Sequence, residues 1–330
     1  MLEILLVMWV ISAILIVFER SVARIVIYTG IFSLITSGGF LLLGSPDVAM
    51  AEAAVSGFTI VFFVICLEKY YSNKADAQEA RPRYNGFSGL VKRLILPVAF
   101  VLGIFMLFVY SVPDISPSTY LKYQYLARFM GEVGGANAVA SIVLGYRVYD
   151  TLFEALLLIV AVVAVSHMSW FSGPTIAEGR HSNLEKYGVA IFSIRIVSPI
   201  ILLFGLYIIA FGHVSAGGGF QGGVALASFF VCRYLVYNIY DLPIKRVIRL
   251  EEIIFVNIVI VAAIAIFLAA SAHLPTAYIP FFQVSYLVGM NILIGFKVAC
   301  GFFILFYRYI TIERLEDTSV TTSQSEDDDH

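Results

Sequence analysis

Five charged side chains stand inside runs of the sequence that are otherwise apolar: Glu52, Glu154, Arg195, Arg233 and Lys297. A carboxylate in such a setting can take up and release a proton or hold a cation, and an ammonium can act as its counter-charge or as a second carrier. Glu154 follows Asp150 by four residues, a spacing that puts two side chains on one face of a helix. The pair has the outline of a proton relay; the plainer reading of Glu154 is a hydrogen bond to a neighbouring helix. Lys297 shares its run with Asn291 and Gly295 and serves either as a relay ammonium or as the counter-ion of a carboxylate. Arg195 and Arg233 lie nearer the ends of their runs, where long cationic side chains reach out to lipid headgroups.

Two short motifs accompany these residues. In "GSPDVAMAEAAVSG", residues 44–57, Pro46 suits the first turn of a helix and Asp47 the positive end of its dipole, so Asp47 reads as a capping residue rather than a carrier. Glu52 lies more than a turn deeper, as a polar interior partner or a proton site. The small residues around it, Ala49, Ala51, Ala53, Ala54, Ser56 and Gly57, allow another helix to approach closely. In "GHVSAGGGFQGG", residues 212–223, six of twelve residues are glycine and none is charged. The run lacks the GK[ST] ending of a phosphate loop, and it feeds straight into the apolar "VALASFF". Closely packed backbone is the expectation at Gly218, Gly219 and Gly222, with His213 and Gln221 as hydrogen-bonding groups. His213 reads equally as an ion exit or as a structural interfacial histidine.

The elements that must position these groups are membrane helices. A mean hydropathy of +0.90, with 60% hydrophobic and 13% charged residues over 330, cannot be reconciled with one soluble core under a charged surface. The apolar runs do not alternate residue by residue, which excludes a membrane barrel. An all-α polytopic fold is expected, with nine spans near 2–18, 25–43, 48–67, 93–111, 149–167, 190–210, 220–238, 252–271 and 282–307. The apolar stretch at 134–146 is too short to cross and is expected to be a half-helix or re-entrant piece feeding the fifth span; an interfacial segment is the alternative. With the amino end outside, fifteen Lys and Arg residues fall in inside segments, and only Lys122 and Arg128 fall outside. The carboxyl end is then inside. The first run carries Glu3, no basic residue before Glu19 and no small-residue cleavage pattern, so a retained span is expected rather than a signal peptide.

Polar breaks divide the chain into a three-span block at 1–80, a two-span block with the half-helix at 81–187, a four-span block at 188–310 and a disordered acidic tail at 311–330. Cys66, Cys232 and Cys300 stand alone in or beside spans and suggest neither disulfides nor a metal or iron–sulfur ligand set. No cofactor or metal is expected in this chain.

A family resemblance rests on three motifs. "GHVSAGGGFQGGVALASFF" resembles the signature of the B subunit of Mrp-type multisubunit cation/proton antiporters, and of its counterpart in membrane-bound hydrogenase and related respiratory complexes. The usual run there is GHxxPGGGFQGG, and Ala216 takes the place of its proline. "GSPDVAMAEAAVSG" resembles a small three-span subunit of those assemblies and the carboxyl part of their large A subunit. "YRVYDTLFEALLL", residues 146–158, resembles an adjoining segment with a motif like FDTLxE, which puts Glu154 at its acidic position. The three resemblances cover most of residues 20–310, in the order of neighbouring subunits, and read as a natural fusion of three small subunits.

The resemblance implies a non-redox subunit, not catalytic alone, of a cation (sodium foremost)/proton antiporter or of the antiporter module of a hydrogenase-like complex in a prokaryotic plasma membrane. Its partners would be other membrane subunits, including the large antiporter-like ones that do not fit in this chain. Translocation candidates are Glu154, Glu52, Lys297, Asp150 and His213; the structural motif comprises Pro46, Asp47, Gly217, Gly218, Gly219, Gln221, Gly222 and Gly223. The alternative is a scaffold that joins a redox arm to separate pumping subunits. A free-standing transporter is disfavoured by the lack of an inverted repeat.

Overall fold

The computed structural model describes residues 2–19, 21–71, 119–168, 188–237, 244–271 and 279–312, with isolated helical positions between 99 and 106. In chain order the helices are α1 (Leu2–Phe18), α2 (Val22–Leu42), α3 (Pro46–Tyr71), α4 (Thr119–Glu132), a single turn α5 (Ala138–Ser141), α6 (Val148–Met168), α7 (Gly188–Phe211), α8 (Gly219–Tyr237), α9 (Ile244–Ser271) and α10 (Ile279–Ile312). A five-residue π-helical segment, Ile142–Tyr146, runs between α5 and α6. The described residues contain no strand. Compactness divides the chain into one unit of residues 1–66 and 128–330 and a second of 67–127. The packing below belongs to the first, and residues 119–127 of α4 belong to the second.

Among the described residues, six helical stretches are long and apolar enough to cross a bilayer: Val22–Leu42, Pro46–Val64, Val148–His167, Phe192–Phe211, Ile244–Leu268 and Phe282–Arg308. The chain is a multi-pass membrane protein. Expected spans 2–18 and 220–238 are the helices α1 and α8, which fall outside these six; 93–111 lies almost wholly outside the described residues, as do residues 313–330 of the tail.

Where sequence and structure differ, local physics explains the difference. Helix α9 begins at Ile244, two turns before the expected 252, because the basic "IKRVIRL" is a good helix former despite its polarity. Lys245, Arg246 and Arg249, expected in a loop, are therefore helical. Residues 119–132, also read as loop, form α4, whose polar and apolar residues give it an amphipathic rather than a spanning character. The stretch at 134–146 supplies one α-turn and the π segment, capped by Asn137, whose Oδ1 accepts from the Val139 N–H at 2.9 Å.

Helix α10 is the axis. Within Phe282–Arg308, 61% of the residues of the most apolar stretch are buried by protein, against 11% for α2 and 17% for α7. Leu287, Met290, Ile294 and Val298 recur along one face of α10 at helical spacing and meet Val224, Ala227 and Val231 of α8 and Ile258 and Ala262 of α9. In lipid such contacts gain from close packing rather than from escape from water, so small residues set the approach. At the α7–α8 crossing two glycines face each other: a Cβ on Gly222 would lie 2.7 Å from the Gly205 carbonyl oxygen. At the other extreme, α1 is held to α2 by a Trp9 Nε1–H bond to Thr36 Oγ1 at 2.9 Å and by the Trp9 and Phe32 rings, 4.9 Å apart.

Candidate functional site

Two polar clusters lie among these helices. The first gathers helix ends from three parts of the chain. Asp47 opens α3 behind Pro46 and is buried; its Oδ1 accepts from Asn137 Nδ2 at 2.8 Å and from the Gly217 N–H at 3.0 Å. Asn137 Nδ2 also donates to the carbonyls of Gly212, at 3.1 Å, and Ser215, at 2.9 Å. The Asn137 N–H donates to the His213 carbonyl at 3.0 Å. Gln221 Nε2 reaches the Asp47 carbonyl at 3.4 Å. The glycine run must bend sharply to offer these groups: Gly217 has φ of +134°, a conformation that an L side chain rarely adopts. Every partner here is backbone or a fixed amide, so the chemistry is that of a latch between segments 44–47, 134–137 and 212–218.

The second cluster lies within the helix bundle. Lys297 of α10 is wholly buried, and its Nζ stands 3.2 Å from Glu251 Oε1 of α9, itself 2% exposed. The same ammonium donates to the Ala155 carbonyl of α6 at 2.5 Å. Ala155 follows Glu154, whose carboxylate lies within electrostatic range of Lys297 without pairing to it. Glu154 is exposed on the chain's outer face and lines a small cleft with Thr151, Ala155, Leu158, Phe220, Ile294 and Val298. One ammonium against two carboxylates leaves one negative charge when all three groups are ionised, the charge that a single proton or monovalent cation neutralises. Nearer the loop, Asn291 Oδ1 accepts from the Gly219 N–H at 3.0 Å, while its buried Nδ2 has no partner among the described residues.

Of the sequence candidates, Glu154 and Lys297 are thus brought together. Asp150 is exposed and forms an ion pair with Arg147, in the turn just before its helix, a surface contact apart from the Lys297 ammonium. Glu52 accepts a hydrogen bond from Ser33 Oγ of α2. His213 contacts the Ala210 carbonyl through Nδ1 at 3.1 Å, and its backbone serves the Asp47 latch. Gly219, Gly222 and Gly223 lie where a Cβ would meet backbone: the carbonyls of Asn291 at 2.6 Å, Gly205 at 2.7 Å and Gly295 at 2.5 Å. Gly218 has φ of +159° and lies beside Gln221 and Asn291. Arg195 and Arg233 are exposed. Among the cysteines, Cys232 and Cys300 are free thiols.

Sequence reasoning missed Glu251 and Asn137. Starting the span at 252 left Glu251 in a loop, yet Glu251, Ile258 and Ala262 fall on one helical stripe, and all three are buried while Glu252 is exposed. Extending that stripe toward the amino end would have found it. Asn137 gave a weaker signal, a helix-capping residue just before an apolar turn.

Residues 189–304 match the model of a "domain related to MnhB subunit of Na+/H+ antiporter", and residues 7–71 match the model of the D subunit of MBH. A probable K(+)/H(+) antiporter A/B subunit of Rhizobium meliloti is 27% identical over 228 residues, covering 61% of this chain and 22% of that protein. Three further curated relatives are covered over 56%, 17% and 51% of their lengths, so the chain spans less than two thirds of each. Among solved structures, a chain of the Mrp complex from Dietzia sp. DQ12-45-1b superposes with a TM-score of 0.62 at 22% identity, covering 91% of this chain and 34% of that one, a likeness of fold. A chain of an archaeal membrane-bound sulfane sulfur reductase superposes with a TM-score of 0.53 at 25% identity, covering 67% of this chain and 98% of its own length.

Proposed function

We propose that this chain, which is a fusion of small Mrp- and MBH-type antiporter subunits, works as a non-redox membrane subunit of a cation/proton antiporter or of the antiporter module of a respiratory membrane complex. The observation that carries the reading is the wholly buried Lys297, held between Glu251 and the backbone next to Glu154. Burying charge without function is costly, and intramembrane ionisable groups are retained where ions or protons pass. In this reading Glu154 takes up the cation or proton, Lys297 modulates its charge, and Glu52 is a second interior station. Sodium is the cation proposed, in keeping with the description of the MnhB-related domain.

Glu154 also argues for partners. It lies in an apolar helix and is exposed on the isolated chain, beside Phe153 and Leu157, exposed at 63% and 69%. A carboxylate facing lipid costs several kcal/mol, roughly 3 on insertion scales, so a neighbouring subunit covers this face in the assembly. The full proposal is nine spans with the amino end outside and the carboxyl end inside a prokaryotic plasma membrane, supported by the distribution of Lys and Arg. The Asp47–Asn137–Gly217 latch favours a second reading, in which the chain is mainly a scaffold between a redox arm and the pumping subunits.

The test is gentle purification through a tag on the acidic tail, followed by sodium/proton exchange in vesicles from cells with and without the chain. Recovery of other membrane subunits and chain-dependent exchange is expected. An isolated monomer that exchanges ions by itself contradicts the subunit reading.

A further inference from the structure

Resting on the reading that Glu154 loads the transported cation or proton, we propose that Glu251 is a positioning residue that holds the Lys297 ammonium away from Glu154 and so keeps that carboxylate free to load. The geometry argues for this division of labour. Lys297 Nζ is 3.2 Å from Glu251 Oε1 and donates to the Ala155 carbonyl at 2.5 Å, one residue along α6 from Glu154. The ammonium therefore already reaches the backbone of the loading helix, and of the carboxylates near it the one it pairs with is Glu251 on α9. Among the described residues, Glu251 Oε1 has the Lys297 ammonium as its close polar neighbour and no other hydrogen-bond partner, with the Glu252 carboxylate and the Cys300 thiol in its wider surroundings. Glu251 is 2% exposed, which keeps it out of reach of lipid and bulk water, whereas Glu154 is exposed and lines the cleft. The two carboxylates are thus unequal: one is sealed against the ammonium inside this chain, and the other stands at the chain's surface, where the proposed neighbouring subunit meets it. A long lysine side chain left without its sealed partner has a second carboxylate within its electrostatic range.

Glu251→Gln removes the sealed charge and leaves Lys297 to pair with Glu154. Cation loading should weaken about tenfold, the effect of one opposite charge moving next to a carboxylate. The double variant Glu251→Gln with Lys297→Gln removes both members of the pair and restores an unblocked Glu154, returning flux to within about threefold of the parent, since replacing both partners of a buried pair is far milder than removing one. Sodium flux driven by a pH gradient is measured in vesicles of the assembled complex at matched complex content. In parallel, mass spectrometry follows labelling of Glu154 by a hydrophobic carbodiimide, a reagent that attacks an accessible, protonatable carboxyl. Labelling should fall in Glu251→Gln and recover in the double variant. Normal flux per complex and normal labelling in Glu251→Gln overturn the proposal, as does a double variant no better than the single one. Should Glu251→Gln fail to assemble, Glu251→Asp keeps the charge but retreats by one methylene; reduced Glu154 labelling there upholds the proposal, and unchanged labelling overturns it. Glu154→Gln separates the two levels: impaired flux there with normal flux in Glu251→Gln overturns the positioning role alone, whereas normal flux in Glu154→Gln overturns the loading role itself.

Discussion

Helices α2 and α10 have nearly the same sequence character and opposite fates. Both are long and apolar, yet 61% of the central stretch of α10 is enclosed by protein, against 11% for α2. The difference is made by the neighbours: α8 brings Gly219 and Gly223 against α10 and Gly222 against α7, while Gly38 and Gly39 of α2 face no heavy atom within 4 Å among the described residues. Polar groups follow the enclosure. Lys297 and Asn291 are sealed inside α10's contacts, whereas the hydroxyls of α2 bond to their own helix, to α1 and to α3. Helix α10 is therefore the enclosed axis around buried charge, and α2 is an outer layer that lipid or other subunits must complete.

The sharpest break of this comparison is a pair of glycine variants. Gly222→Leu drives a branched side chain into the Gly205 carbonyl and should cut the yield of assembled complex by roughly tenfold or more, in line with the cost of overpacking. Gly38→Leu, opening into space, should leave yield unchanged. Equal yields, read by native gel after mild solubilisation, would erase the distinction between the two regions.

Next in size is the buried ion pair. Lys297→Met leaves Glu251 buried and unpaired and should cost ~3–5 kcal/mol, seen as loss of heat resistance of the detergent-solubilised complex. Adding Glu251→Met should recover much of it. A double variant as fragile as the single would mean that the pair is not the source of the cost.

The latch comes third. Asn137→Ala strips Asp47 and four further groups, the Gly212 and Ser215 carbonyls and the Val139 and Ala140 N–H groups, of a partner at once and should cost ~1–3 kcal/mol, measured in the same heat-resistance assay, with ion selectivity unchanged. Altered selectivity would move this cluster from structure to transport. Smallest is Thr36→Val, which removes the exposed Trp9 bond between α1 and α2 at a cost of less than about 1 kcal/mol. A larger loss would show the amino block to be better tied than its packing indicates.

Much of this is legible in the amino-acid sequence. Apolar runs of spanning length place the helices, Pro46 marks the start of α3, and the glycine run marks a close crossing because a residue without Cβ lets backbones approach most closely. Lys297 and Glu154 declare themselves because charge in an apolar run has few innocent explanations. The start of α9 does not, since its first two turns are basic and a hydropathy window cannot tell a polar helical turn from a loop; Glu251 is lost with it. The partner of Asp47 is equally hidden. Asn137 is 90 residues away, and pairing across such a distance is fixed by how helices pack, which no local pattern encodes.

The central claim, that the chain carries part of an antiporter's ion path at Glu154, is tested most directly by one measurement. Glu154→Gln keeps the size and much of the hydrogen bonding of the side chain and removes its charge and its transferable proton. In vesicles of matched complex content, sodium flux driven by a pH gradient should fall by about a hundredfold or more, the lower end of the range for losing a positioned proton-transfer group. Flux and pH dependence equal to those of the unaltered complex would contradict the account and leave the chain a scaffold.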